Sequence, residues 1–198
     1  HLFNDIAKGK QHASAIDSLL VNDRIKNLKG YHIYFTSNHD ENSWSGTEFE
    51  RMGAADKIMD VLAFTFDGMP LLYSGQEEPL KKRLEFFEKD SIPWKNYAYA
   101  DFFKTLFDLK QRNKALGNGS AGVPLEKLAV HKDVYAFEKN KDGDRVIVML
   151  NLSAKPQTAM ITKDIPAMQD IFTLQAASYK KDQKITLKPW EYRVYSTR

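Results

Sequence analysis

Tyr31–Ser45 reads YHIYFTSNHDENSWS, and the fold is decided by the change of character in its middle. Tyr31 to Ser37 is an aromatic and β-branched run of the kind that forms a buried strand. It then passes without a turn signal into Asn38, His39, Asp40, Glu41 and Asn42, five polar groups that an apolar core rejects. A strand with such an end opens onto something polar.

Working outward, Thr47 to Phe66 predicts a helix, with Met52, Ala55, Met59, Leu62 and Phe66 on one stripe, closed by Gly68 and Pro70. A second apolar strand follows in GMPLLYSGQEE, residues 68–78, and it too ends in polar groups, Gln76, Glu77 and Glu78. After a polar connection, Pro79 to Tyr97, the spacing of Phe103, Leu106 and Leu109 predicts a helix over Ala98 to Lys114. Upstream, Leu2 to Leu28 reads as one or two helices marked by Ile6, Ile16, Leu19 and Leu20. Helices alternating with strands argue for parallel β/α units, whose chemistry sits at the C-terminal ends of the strands.

The texture changes at LGNGSAG, residues 116–122. Short alternating runs follow: Val134 to Glu138, the turn NKDGD, Arg145 to Leu152, Gln157 to Thr162, Asp170 to Leu174, Lys184 to Leu187 and Glu191 to Ser196. The fold class is therefore α/β plus all-β, with a β/α region over 1–116 and a small antiparallel β-sandwich over 117–198. Tyr135, Phe137, Tyr192 and Tyr195 alternate with aliphatics as core residues do, and Trp190 reads as core with them.

The chain has 198 residues, 42% of them hydrophobic, and a net charge of +3 from 29 basic and 26 acidic residues that are interspersed. That balance offers no basic stripe for nucleic acid, and no apolar run long enough for a membrane span occurs. The absence of cysteine excludes disulfides and thiolate metal sites without deciding the compartment. The chain starts at His1, not Met, which reads as a piece of a longer protein.

In the polar cluster, His39 can donate to a hydroxyl and Asp40 can orient sugar hydroxyls or stabilise positive charge at a carbon centre. The bland reading is a polar loop of turn-forming Asn and Asp. His1, His12, His32, His39 and His131 show no HxxxH or HExxH spacing, so no metal site is assigned. No GxSxG elbow supports a Ser-His-Asp triad. Gln76, Glu77 and Glu78 read as anchors of the second strand end, with Gly75 a backbone necessity; Trp44, Trp94 and Tyr97 can stack on sugars, though lone loop aromatics more often serve local packing.

FTSNHDENS at 35–43, a helix, GMPLLYSGQEE, another helix and a small β region ending LKPWEYRVYS together resemble the C-terminal part of glycoside hydrolase family 13, the α-amylase family. The resemblance covers most of the chain from Tyr31 onward. It implies the C-terminal part of a TIM (β/α)8 barrel followed by the antiparallel domain called C, and retaining cleavage of α-glucosidic bonds in starch or maltooligosaccharides. It implies transition-state stabilisation by Asp40 and a hydrogen bond to the sugar from His39; Asn38 and Trp44 are assigned to substrate binding beside them.

The family's nucleophile motif, Arg-x-Asp, does not occur here, and its general acid belongs to a strand upstream of His1. The expectation is an α-glucan hydrolase whose 198-residue portion is silent by itself and lacks the N-terminal barrel portion as a partner. Unpaired barrel edges then favour a homo-oligomer or domain swap. No cofactor is assigned to this chain; the resemblance places calcium ligands, where the parent enzyme has them, mainly outside it, and export is common in the family. The alternatives are a noncatalytic carbohydrate-binding module or a scaffold relative that has lost its acids.

Overall fold

The computed structural model describes residues 1–21 and 30–197. Two short helices, α1 (Leu2–Ala7) and α2 (Ala15–Val21), lie at the start, and residues 22–28 of the expected helical stretch fall outside the described residues. Strand β1 is only Ile33–Tyr34, and it pairs in parallel with β2, Met69–Pro70, through Ile33↔Met69 and Tyr34↔Pro70. Both strands are shorter than the apolar runs predict. Pro70 has no N–H to extend the ladder, and beyond Leu71, whose N–H reaches the Tyr34 carbonyl at 2.9 Å, the chain turns away at Tyr73 to Glu78.

The helix expected over Thr47 to Phe66 is broken in two. Helix α3 (Glu48–Met52) starts at a capping box in which the Thr47 hydroxyl accepts from Glu50 N–H and Glu50 accepts from Thr47 N–H. It stops at Gly53, which has φ 58°, and α4 (Asp56–Thr65) begins only after one 3-10 turn. Nearly all of α4 is buried, and its last turn delivers Phe66 into the core. Helix α5, Ala100–Arg112, falls where the stripe of Phe103, Leu106 and Leu109 predicts it.

The remainder is antiparallel. Strands β3 (Glu126–Lys127), β4 (Val134–Lys141), β5 (Asp144–Asn151), β10 (Tyr192–Ser196), β7 (Ile165–Asp170) and β8 (Ala176–Tyr179) form one sheet in that spatial order. Strands β6 (Gln157–Met160) and β9 (Lys184–Leu187) form a second, two-stranded sheet. The β4–β5 hairpin turns through Asp142 and Gly143, both with positive φ, as its Asp-Gly pair predicts. One strand expectation fails: Asp170 to Leu174 is a turn. Asp170 ends β7, and its Oδ1 accepts from the N–H groups of Phe172 and Thr173, which caps the turn and withdraws them from a ladder.

Strands β4 and β5 bury both faces, which explains why VIVML in β5 is continuously apolar. Tyr135, Phe137, Val146, Val148 and Leu150 point at the helices and join Phe64, Phe66 and Phe103 in one cluster. Val134, Ala136, Ile147 and Met149 point the other way and join Ala159, Ile185 and Leu187 of the two-stranded sheet, with Ile161 just beyond it. The result is three layers: helices, the large sheet, the small sheet. The residues expected as core are core, with Tyr135, Phe137 and Tyr195 buried and Trp190 and Tyr192 half-buried against the helical cluster.

Polar ties also cross from the first helices to the sheet. The Tyr135 hydroxyl donates to Asp17 at 3.1 Å, Lys127 pairs with Asp17 at 2.9 Å, and His12 Nδ1 lies 2.7 Å from Asp133. No helix among the described residues is long and apolar enough to cross a membrane.

Candidate functional site

The polar run after β1 folds as a tight helical turn and not as a loop. His39 and Asp40 begin it, and Glu41–Ser45 continue it with the wide π-type winding that is rare outside special sites. Asn38 starts the turn, since its Oδ1 accepts from Glu41 N–H at 2.7 Å. The two residues of greatest interest stand free on its outer side: His39 Nε2 is 3.6 Å from Asp40 Oδ1, and both side chains are about two-thirds open to solvent, at 66% and 61%. Trp44, further along the turn, is also exposed. The structure thus brings His39, Asp40 and Trp44 to one surface, while the side-chain oxygen of Asn38 is spent on the backbone.

This turn rests on a buried platform. Arg51, on α3, donates from Nε to the Gly46 carbonyl (2.8 Å), from Nη2 to the Thr36 carbonyl (2.5 Å) and from Nη1 to Asn4 Oδ1 (3.2 Å). One guanidinium therefore fixes the end of the strand, the end of the π-turn and α1 together. Glu41 approaches the same cation at 3.6 Å.

Below it lies an acidic pair. Thr36 Oγ1 donates to Asp60 Oδ1 at 2.6 Å and accepts from Gln76 Nε2 at 2.8 Å, and the Gln76 amide also donates to Glu48 Oε2 at 2.7 Å. Gln76 Oε1 accepts from Tyr73 N–H at 2.8 Å, so the amide is used at both ends. Glu78 accepts from the N–H groups of Lys95, Asn96 and Tyr97. Glu77 accepts from Gly75 N–H, and Gly75 itself has φ 99°. All three polar residues of the second strand end are anchors.

Burial pushes the Glu48 carboxyl up to about 7; the Asp56 charge adds to the rise, and the hydrogen bond from Gln76 opposes it. Asp60 is raised for the same reasons, burial first and then the Glu48 charge, and its Oδ2 has no hydrogen-bond partner among the described residues. A carboxyl raised from its ordinary value of 4.5 to about 7 takes up a proton on folding. Its contribution is complete below the unfolded value and is lost as pH climbs through the folded one, roughly 3 kcal/mol in all. Unfolding free energy measured by urea between pH 4 and 8 should fall over that window. Glu48→Gln should flatten the fall, and an unchanged slope in the variant rules the assignment out.

Beside the turn, a cavity of about 300 Å³ is lined by α1, Leu19, β1, Glu41 and Arg51. Ile33 and Met69 of the parallel pair, and Tyr31 just before it, are exposed. Parallel strands are ordinarily covered on both faces, so this face is unfinished within the described residues.

Two aromatics in the connection after the second strand carry no signal in the sequence. Phe86 and Phe87 stack edge-on at 4.8 Å, and Phe86 lies 5.3 Å from Trp44 and 5.7 Å from the His39 ring. Trp94 and Tyr97, in the same connection, stack on one another at 5.1 Å and are half-exposed.

No family model matches the chain. A cyclomaltodextrinase of Thermoanaerobacter pseudethanolicus is 26% identical over 179 residues, which cover 85% of this chain and 30% of that protein. A maltogenic α-amylase of Thermotoga neapolitana superposes with a TM-score of 0.76 at 17% identity, over 98% of this chain and 48% of its own. AmyP, solved with maltose, superposes with a TM-score of 0.65 at 16% identity, over 94% of this chain and 45% of its own. The chain thus spans under a third of the curated relative and under half of these solved structures.

Proposed function

We propose that this chain, the C-terminal part of a glycoside hydrolase family 13 (α-amylase family) enzyme, forms one wall of the cleft of a retaining α-glucan hydrolase. The observation that carries the reading is the solvent-facing pair His39 and Asp40 at the end of the first of two parallel strands, held from below by Arg51. In this reading the helices and the parallel pair over 1–116 are the closing portion of a (β/α)8 barrel, and 117–198 is its antiparallel domain C. The exposed faces of Ile33 and Met69 are where upstream barrel strands, or failing them a second copy, pack.

Hydrolysis with retention needs a nucleophilic carboxylate and a general acid about 5 Å apart across the scissile bond. Asp40 is the exposed acid here, and it is offered as the group that stabilises the positive charge developing at the anomeric carbon. His39 is offered as a hydrogen-bond donor to the sugar at that carbon, and Trp44 as a face for its neighbour. Glu48 and Asp60 are buried beneath the platform and so cannot reach substrate. The portion alone is therefore catalytically silent.

The test is calorimetric titration of the chain with maltoheptaose and with cellohexaose, alongside a reducing-sugar assay. Maltoheptaose should bind and cellohexaose should not, His39→Ala should weaken maltoheptaose about tenfold, and no sugar should be released. Equal binding of both oligosaccharides, or release of sugar by the chain at the rate of an intact α-amylase, overturns the reading. The noncatalytic binding module, the second reading, requires an aromatic platform on the β region, and there Tyr135, Phe137 and Tyr195 are buried.

A further inference from the structure

Among the described residues, the one ion-pair neighbour of Asp40 is His39 at 3.6 Å, so the direction of its carboxylate follows the winding of the turn that carries it. That winding is unusual. Gly46 N–H reaches the Glu41 carbonyl at 2.9 Å, five residues back, where an α-helix would reach four. Each helical residue turns the chain by about 100°. If the turn relaxed to α winding while Thr36 and Thr47 kept their places, the surplus residue would be taken up by a rotation of His39 and Asp40.

Arg51 grips the turn at both ends. Its Nε donates to the Gly46 carbonyl at 2.8 Å, and its Nη1 lies 3.6 Å from the carboxylate of Glu41, whose own carbonyl accepts the five-residue bond. Its Nη2 donates to the Thr36 carbonyl at 2.5 Å, which ties the strand end to the same rigid plane. The exit of the turn is equally constrained. Gly46 has φ 114°, and a Cβ there would stand 3.0 Å from both Arg83 Nη2 and Glu50 Oε2. Arg51 is 5% exposed, and burying a guanidinium beside one loosely placed carboxylate returns little stability. What a planar fork does supply is fixed angles between its partners, which a flexible ammonium does not.

We propose that Arg51 is a positioning residue for the hydrolysis: by gripping Glu41 and Gly46 it holds the turn in its wide winding and so aims Asp40 at the anomeric carbon. The inference rests on the proposed function for the role of Asp40. Arg51 acts from beneath, through the backbone of the turn, and its donors are spent on Thr36, Gly46 and Asn4. A lysine at this position reaches one of the two carbonyls and not both at a set angle, so the turn keeps an anchor and loses its winding.

The experiment measures maltoheptaose hydrolysis by a protein that carries the upstream barrel portion, as wild type, Arg51→Lys, Asp40→Asn and the double variant, each assayed well below its melting temperature. Arg51→Lys should lower kcat about 10²-fold with KM within about threefold. Added to Asp40→Asn it should cause no further loss, because aim no longer matters once the charge is gone. Losses that multiply in the double variant make Arg51 a support of the fold at large and overturn the assignment, as does an unchanged kcat or a loss confined to KM. Where Arg51→Lys does not fold, Gly46→Ala tests the same contact from the side of the turn. It should show the same loss in kcat and the same non-additivity with Asp40→Asn, and either full activity or multiplying losses in it overturns the assignment. In each of these cases the glucan reading survives. A wild type that releases no sugar, or an Asp40→Asn variant as fast as the wild type, removes the proposed function and this inference together.

Discussion

Phe66→Ala is expected to lower the unfolding free energy by about 4 kcal/mol. The side chain is 2% exposed and sits where the helical region meets the large sheet, with ring centroids at 5.4 Å from Tyr34, 6.4 Å from Tyr135 and 6.3 Å from Phe137. Its removal leaves a hole bounded by β1, β4 and α4, elements pinned by hydrogen bonds that resist collapse into the space. For a chain of this length such a loss lowers the melting temperature by roughly 10 °C. Urea denaturation with two probes checks it, Phe66→Leu should recover most of the loss, and a cost under about 1 kcal/mol refutes the central place given to the ring.

Asp40→Asn is expected to slow hydrolysis of maltoheptaose about 10³-fold in a protein that carries the upstream barrel portion, with KM within about threefold. Asn keeps the shape and loses the charge, so it removes an interaction that matters most when the anomeric carbon is positive. The platform beneath does not depend on Asp40, whose side chain is exposed and whose neighbour within ion-pair range is His39. A large rise in KM at unchanged kcat would make Asp40 a ground-state binder and discard the role proposed for it.

Some of the fold is legible from residues alone. The apolar runs of β4 and β5 on either side of the Asp-Gly pair specify a hairpin, and the two-residue turn sets its register. The parallel pairing of β1 and β2 is the consequence of a helix between apolar runs. The break at Gly53 is hidden by a stripe that continues past it, although Thr47 and Glu50 mark the start of a short helix and a glycine at positive φ marks its end.

The shared, exposed position of His39, Asp40 and Trp44 is legible because the end of a parallel strand projects the next few side chains out of the sheet. Their support is not. Glu48, Arg51 and Asp60 look like the wet side of an amphipathic helix, and only tertiary packing turns them inward to Thr36 and Gln76. Phe86 and Phe87 lie in an irregular connection, where no periodicity separates an exposed ring from a buried one.

The double-sided burial of β4 and β5 bears on how such chains can be reshuffled in evolution. A sheet that shows one greasy face to its own small partner and another to the helices is not a detachable module. Tyr135, Phe137, Val148 and Leu150 would be stranded by a cut in the Gly117–Gly122 segment, and Phe64, Phe66 and Phe103 would be stranded with them. Recombination that imports a foreign β region at this seam must bring a face fitted to Phe66, so the two halves are expected to change sequence in step.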